Sequence, residues 1–122
     1  MTWTYAQNNG ELKHNGVFIG TGYAGFGKGK FNPSMQCVSN VGPLPRGKYI
    51  MKELLLKHRS CGEYVIRLAP DPSNNMCGRS GFLIHGDSKK HPGMASHGCI
   101  ILYTKYRKDM WNSGDKILEV IA

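Results

Sequence analysis

Residues 82–101 constrain this chain more than any other stretch. Phe82, Leu83 and Ile84 form an apolar run of the length of a buried strand. That run carries the chain into His85 and Gly86, then into a polar loop holding Asp87, Lys89, Lys90, His91 and a Pro92-Gly93 turn. The loop returns through Ser96, His97, Gly98 and Cys99 into a second apolar run at 100–102. Two strands that frame such a loop bring an imidazole and a thiol within reach of each other. A free thiol titrates near about 8.5 and is mostly protonated at neutral pH. An adjacent imidazole can take its proton, giving a thiolate–imidazolium pair and an activated nucleophile. Gly98 has no side chain, so a carbonyl can approach the backbone there and local N–H groups can receive its developing charge. Singly, each residue has an ordinary structural explanation: free Cys is commonly buried, and a lone His usually packs beside a strand. The joint pattern points to nucleophilic catalysis.

The rest of the chain reads as β structure around this loop. Residues 2–20 predict a three-stranded meander, with turns at Asn8-Asn9-Gly10 and at Asn15-Gly16, a type I′ hairpin signal. The stretch 21–40 reads as loop, with a short helical turn near 33–37. Pro43 and Pro45 exclude a central strand across 42–47. Residues 48–56 and 63–68 predict a hairpin, with Tyr49, Met51 and Glu53 sharing one face of its first strand. The segment 69–80 is a surface loop, and Arg79 within it is either a solvated charge or a partner for a substrate carboxylate at the cleft mouth. Residues 103–113 predict a helix, with Tyr103, Tyr106 and Met110 on one face, Lys and Arg on the other, and Gly114 at its stop. Arg107, one position from Tyr106, either reaches the active-site rim or faces water. Residues 116–121 close the fold as a final strand. The 16 glycines in 122 residues fit a turn-rich β fold.

A formal net charge of +8 favours a polyanionic partner. The basic residues are scattered, without a recognition helix, finger spacing or aromatic RNA-binding motif, so the expectation is an anionic cell wall rather than nucleic acid. The cysteines at 37, 61, 77 and 99 form no CxxC pair, and no structural metal is expected. With Cys99 reserved as nucleophile, three remain; one disulfide, offered as Cys61–Cys77, or three buried thiols both fit. No run is long and apolar enough to span a membrane. The first residues lack the pattern of a secretory leader, so a cell-wall role requires another route out, a removed leader or a truncated chain.

His85-Gly86 followed by Ser96-His97-Gly98-Cys99 resembles the active-site signature of the L,D-transpeptidase catalytic domain, a family that works on peptidoglycan stem peptides. Gly22-Tyr23-Ala24-Gly25, Asn32-Pro33, the segment 42–49, Gly78-Arg79-Ser80-Gly81-Phe82 and Arg107 extend this to most of the chain and resemble the family's small branch of type VI secretion effectors. The resemblance implies a mainly β fold, an L,D-transpeptidase-like β-sandwich or mixed sheets with one or two short helices, in a single catalytic domain over 1–122. It implies Cys99 as nucleophile and His85 as general base, and no cofactor or metal. Gly98, Ser96, His97, Gly86 and Asp87 are the expected supporting or oxyanion groups, with Gly86, Asp87 or Ser88 orienting the base. Arg107, Arg79 and Tyr23 are the expected substrate contacts. Ile101 departs from the family, which mostly carries Arg at that position, and Arg107 is the expected replacement. The implied reaction removes or exchanges the terminal D-alanine of a stem tetrapeptide through a thioester. The implied setting is a monomeric toxin passed through secretion machinery into the periplasm of a target bacterium and restrained by a cognate immunity protein. A cysteine amidase of the NlpC/P60 kind is the near alternative, although that class usually places Cys before His. A non-catalytic basic wall-binding module is the further one.

Overall fold

A computed structural model describes residues 1–122. Its strands are β1 (Trp3–Ala6), β2 (Glu11–His14), β3 (Val17–Thr21), β4 (Gly47–His58), β5 (Gly62–Pro70), β6 (Leu83–His85), β7 (Ile100–Ile101) and β8 (Ile117–Ile121), with one helix, α1 (Thr104–Asn112). Single 3-10 turns at Gly27–Gly29 and Pro33–Met35 interrupt the loop that follows β3. All eight strands form one mixed sheet in the order β3-β2-β1-β8-β4-β5-β6-β7. The opening meander forms as its turn residues dictate: Asn15 and Gly16 both hold positive φ, 51° and 82°, as a type I′ turn requires.

The sheet curls until its ends meet. Tyr23, two residues past the β3 edge, pairs antiparallel with Ile101 on the β7 edge, exchanging backbone bonds of 3.1 and 2.7 Å. The core lies inside this curl. Alternation along β1 and β8 sends Trp3, Tyr5, Leu118 and Val120 inward, where they meet Tyr49, Met51, Ile66, Ile84 and Ile100, and α1 adds Met110. Tyr106 of α1 lies so close to Gly20 that a Cβ there would fall 2.4 Å from the ring. Glycine at that position is what lets the helix seat against β3.

The last strand, β8, lies mid-sheet, parallel to β1 and antiparallel to β4. Three expectations change at this level. On β4 the register shifts between Met51 and Glu53, so Glu53 leaves the buried face of Tyr49 and Met51 and pairs with Arg67 at 2.9 Å in solvent. On α1 the buried residues are Arg107 and Met110, whereas Tyr103, at the helix start, is 73% exposed. The disulfide joins Cys37 to Cys77, with Cα atoms 5.3 Å apart, and Cys61 is a free thiol. Cys61 could not reach Cys77 because the two sit beyond opposite ends of the nine-residue strand β5, a span of about 30 Å.

Candidate active site

The site follows from one topological fact. β6 and β7 are parallel neighbours, pairing Ile84 with Ile100 and His85 with Ile101. Parallel strands cannot be joined by a tight turn, so residues 86–99 must cross over one face of the sheet. His85 ends the first strand and Cys99 immediately precedes the second. Alternation puts Leu83 and His85 on one face, and Cys99 immediately precedes Ile100, the partner of Ile84, with its Sγ reaching across to the Leu83 N–H. Two residues of rise and one strand spacing then separate the His85 and Cys99 backbones by about 8 Å. Side chains at such diagonal positions can meet.

His85 is buried, and its Nδ1 lies 2.9 Å from the Gly86 carbonyl. A carbonyl only accepts, so Nδ1 carries the proton and Nε2 presents a lone pair. Burial pulls this imidazole below the ordinary histidine value; the Gly86 bond opposes that, and the charges of Arg107 and His58 reinforce it. Cys99 is half-buried, and its Sγ accepts the Leu83 N–H at 3.3 Å rather than bonding the imidazole. Burial pushes the thiol up, against the Leu83 bond, and the neighbouring Cys61 adds to the rise while Arg79 opposes it. Both shifts favour a neutral thiol near a neutral imidazole, not the resting ion pair that the residues alone suggested. Proton transfer then belongs to the moment of attack.

Ser96 organises the backbone before the sulfur. It is fully buried; its hydroxyl accepts the N–H groups of Gly25 at 2.9 Å and Gly98 at 3.0 Å and donates to the Cys99 carbonyl. The Gly98 N–H is therefore committed to Ser96 and the Leu83 N–H to the sulfur itself, which leaves the Cys99 N–H as the local donor for a developing oxyanion. Gly98 has φ +143°, and a Cβ there would lie 2.6 Å from Arg79 Nη2 and 2.7 Å from the Phe82 ring. No other residue fits that position without displacing both.

Arg79 is not a solvated charge: it is buried and its Nη hydrogens are engaged. Its Nη1 donates to the carbonyls of Gln36 and Pro43 at 2.6 and 2.8 Å, and its Nη2 to those of Gly42 and His97 at 3.1 and 3.0 Å. The guanidinium thus clasps the loop before β4 to the loop before β7. His97 turns its ring outward, with Nδ1 3.1 Å from the Asn40 carbonyl and the ring stacked on Phe26 at 5.2 Å.

Asp87 and Tyr23 fasten the crossover loop. The Tyr23 hydroxyl donates to Asp87 Oδ1 at 2.6 Å and accepts the Ala95 N–H at 2.9 Å. Asp87 also accepts from the N–H groups of Ser88 and Gly93. Burial would raise this carboxyl, but those hydrogen bonds and Lys30 hold it below the ordinary range. Burial and the Asp87 bond push the Tyr23 phenol up to about 12. Arg107 is a buried strut: Nη1 donates to the carbonyls of Glu63 and Tyr64, both at 3.0 Å, and Nη2 to Thr104 at 2.8 Å.

Two recesses lie near the pair, each lined by its chain neighbours rather than by His85 or Cys99 themselves. A cleft of about 770 Å³ lies on the His85 side, walled by Cys61, Gly86, Asp87, Lys89 and Arg107. A groove of about 270 Å³ lies on the Cys99 side, walled by Asn40, Arg79, Phe82 and His97. Sequence reasoning missed several supports of this arrangement. Gln7, fully buried, donates to the Leu44 carbonyl at 2.9 Å and to Gln36 at 3.1 Å, tying the loop before β4 to the core. The Leu83 N–H and the four carbonyls around Arg79 are backbone groups, which no residue pattern announces. Cys61 had a signal as an unpaired thiol, but only the fold turns it toward the cleft.

Residues 19–120 match the family model described as the Tlde1 domain. No curated protein matches the chain. Among solved structures, the chain is similar to L,D-transpeptidase 1 of Mycobacterium tuberculosis, at TM-score 0.55 and 18% identity, covering 99% of this chain and 61% of that one. An L,D-transpeptidase from Stackebrandtia nassauensis is similar at TM-score 0.56 and 12% identity, covering 99% and 55%. One from Mycobacterium smegmatis is similar at TM-score 0.54 and 16% identity, covering 99% and 58%. The fold is therefore L,D-transpeptidase-like, and the chain spans 55–61% of the length of these structures.

Proposed function

The chain belongs to the Tlde1 domain family, a type VI secretion L,D-transpeptidase effector family, and on that premise we propose that it is a cysteine-dependent L,D-carboxypeptidase/L,D-transpeptidase of peptidoglycan stem tetrapeptides. One observation carries the reading: His85 holds its Nδ1 on the Gly86 carbonyl, and so offers Nε2, one short parallel strand from Cys99. In this mechanism Nε2 takes the Cys99 proton as Sγ bonds to the carbonyl carbon of the third stem residue. The oxyanion forms beside the Cys99 N–H. Collapse breaks the amide bond; the imidazolium returns its proton to the departing D-alanine amine, and a thioester remains. Water or an amine then attacks the thioester with His85 again as base, giving hydrolysis or transfer. The cleft beside Gly86 and Arg107 is the proposed bed for the stem peptide, and Lys57 and Lys89 on its wall suit an anionic substrate.

The proposed setting is delivery through secretion machinery into the periplasm of a target bacterium. An immunity protein that occludes the cleft would restrain the toxin at home. No helix is long and apolar enough to cross a membrane. The test is incubation with purified muropeptides, read by mass spectrometry. Loss of one alanine from tetrapeptides, exchange when a free D-amino acid is added, and loss of both in folded Cys99→Ala and His85→Ala variants support the reading. Cleavage of the glycan or of the amide to muramic acid, or turnover that survives Cys99→Ala, overturns it.

A further inference from the structure

Arg79 is nine-tenths buried, and its four Nη hydrogens all go to backbone carbonyls. Three of those carbonyls, Gln36, Gly42 and Pro43, belong to the loop before β4; the fourth, His97, belongs to the crossover loop. The carbonyl of the next residue, Gly98, accepts the Leu44 N–H at 2.9 Å, a second tie between the same two loops. Phe82 lies under the guanidinium at 5.2 Å, and its ring is the other surface on which Gly98 rests. The residue before the nucleophile is thus held between a cation and an aromatic ring, with no room for a side chain.

We propose that Arg79 is the positioning residue of the nucleophile: its planar fork locks the His97-Gly98 segment to the loop before β4, and its permanent charge stands on the Gly98 side of the sulfur, favouring the thiolate formed during attack. The proposal deepens the cysteine-enzyme reading and rests on it. Four carbonyl dipoles converging on one point need a donor set of matching shape. A guanidinium supplies planar, paired N–H groups, whereas an ammonium has three donors on a compact charge and leaves one carbonyl unmet. The titratable and charged groups felt at the sulfur are Cys61 and Arg79, with His85 diagonal to it in the sheet register. Arg79 is the only fixed cation among these. As a general scale, removing a unit charge roughly 10 Å from a thiol at an effective dielectric near 20 moves its titration midpoint by about one pH unit.

Two variants separate shape from charge. Iodoacetamide alkylation of Cys99 is followed against pH, peptide by peptide, by mass spectrometry, which separates Cys99 from Cys61. In Arg79→Gln the midpoint moves up by about one unit. In Arg79→Lys it stays nearer the wild-type value while kcat on muropeptides falls at least about tenfold at unchanged KM, because the fork and not a substrate contact is lost. An unshifted midpoint in Arg79→Gln overturns the proposal. So does wild-type kcat in Arg79→Lys, or a raised KM at unchanged kcat, which would return Arg79 to substrate binding. If Arg79→Gln fails to fold, the Arg79→Lys kinetics decide alone. Alkylation needs no turnover, so a wild-type protein inactive on muropeptides would sink the proposed function while the Cys99 titration still reported on Arg79.

Discussion

Ser96→Ala tests how far the site depends on a single hydroxyl. The Ser96 oxygen serves three backbone groups: it accepts the N–H of Gly25 and of Gly98 and donates to the carbonyl of Cys99. The residue is fully buried, so no water is at hand to replace it. A buried polar group left unpaired costs about 1–3 kcal/mol. With three groups exposed to that penalty, even the low end gives a loss of about 3 kcal/mol. For a chain of this size that corresponds to a fall in Tm of roughly 10 °C. The assay is urea unfolding of wild type and variant, reading the midpoint at constant slope so that the difference is one of stability. Turnover should fall with it, since the His97–Gly98 and Cys99–Ile100 peptide units lose their common anchor. A loss below about 1 kcal/mol with an unchanged rate of Cys99 alkylation would show that these three groups are satisfied some other way. The account of Ser96 as organiser would then be wrong.

Four further outcomes follow from the same geometry. Turnover should rise with pH as His85 loses its proton, below the ordinary histidine value of about 6.5, and be level by neutrality, whereas Cys99 alkylation should reach half its limit only above the ordinary thiol value; a thiolate plateau already present near pH 6 would contradict the neutral pair. His85 acts on stability with a definite sign: unfolded, it binds a proton near about 6.5, while folded it resists one, so its contribution is full above that value and is lost as pH falls through the lower folded one. Tyr23→Phe removes both the donor to Asp87 and the acceptor of the Ala95 N–H, so hydrogen exchange at Ala95 and Gly93 should accelerate, with a stability loss of about 1–2 kcal/mol; unchanged exchange would show that the crossover loop is held elsewhere. Reducing the Cys37–Cys77 disulfide, or replacing both residues by Ser, should cost up to about 4 kcal/mol for a loop closed across 40 residues, read as the Tm difference with and without reductant; equal Tm values would argue against the bond.

Local chemistry made much of the fold readable in advance. Asn15-Gly16 announces its hairpin because few residues tolerate two successive positive φ angles. The 82–84 run announces a strand because it is apolar on both faces, and both faces prove to be covered. The spacing over 103–113 predicts the helix and its inward Tyr106 and Met110, but not that Tyr103 is exposed or that Arg107 turns inside, where the carbonyls of Glu63 and Tyr64 receive it. That partnership has no trace in the helix's own sequence. The disulfide was misassigned for a similar reason, since only the path of β5 decides which cysteines can meet.

The residues alone determine that the chain carries an imidazole and a thiol at the two ends of one loop, with glycine where a side chain would obstruct approach. These are matters of order and side-chain chemistry, and they survive any folding. What the tertiary structure decided is the company those groups keep: parallel pairing that sets them at neighbouring strand ends, burial that favours the neutral form of both, and an arginine whose Nη hydrogens all go to backbone carbonyls. Those outcomes rest on backbone groups and desolvation, which exist only once distant segments are packed together.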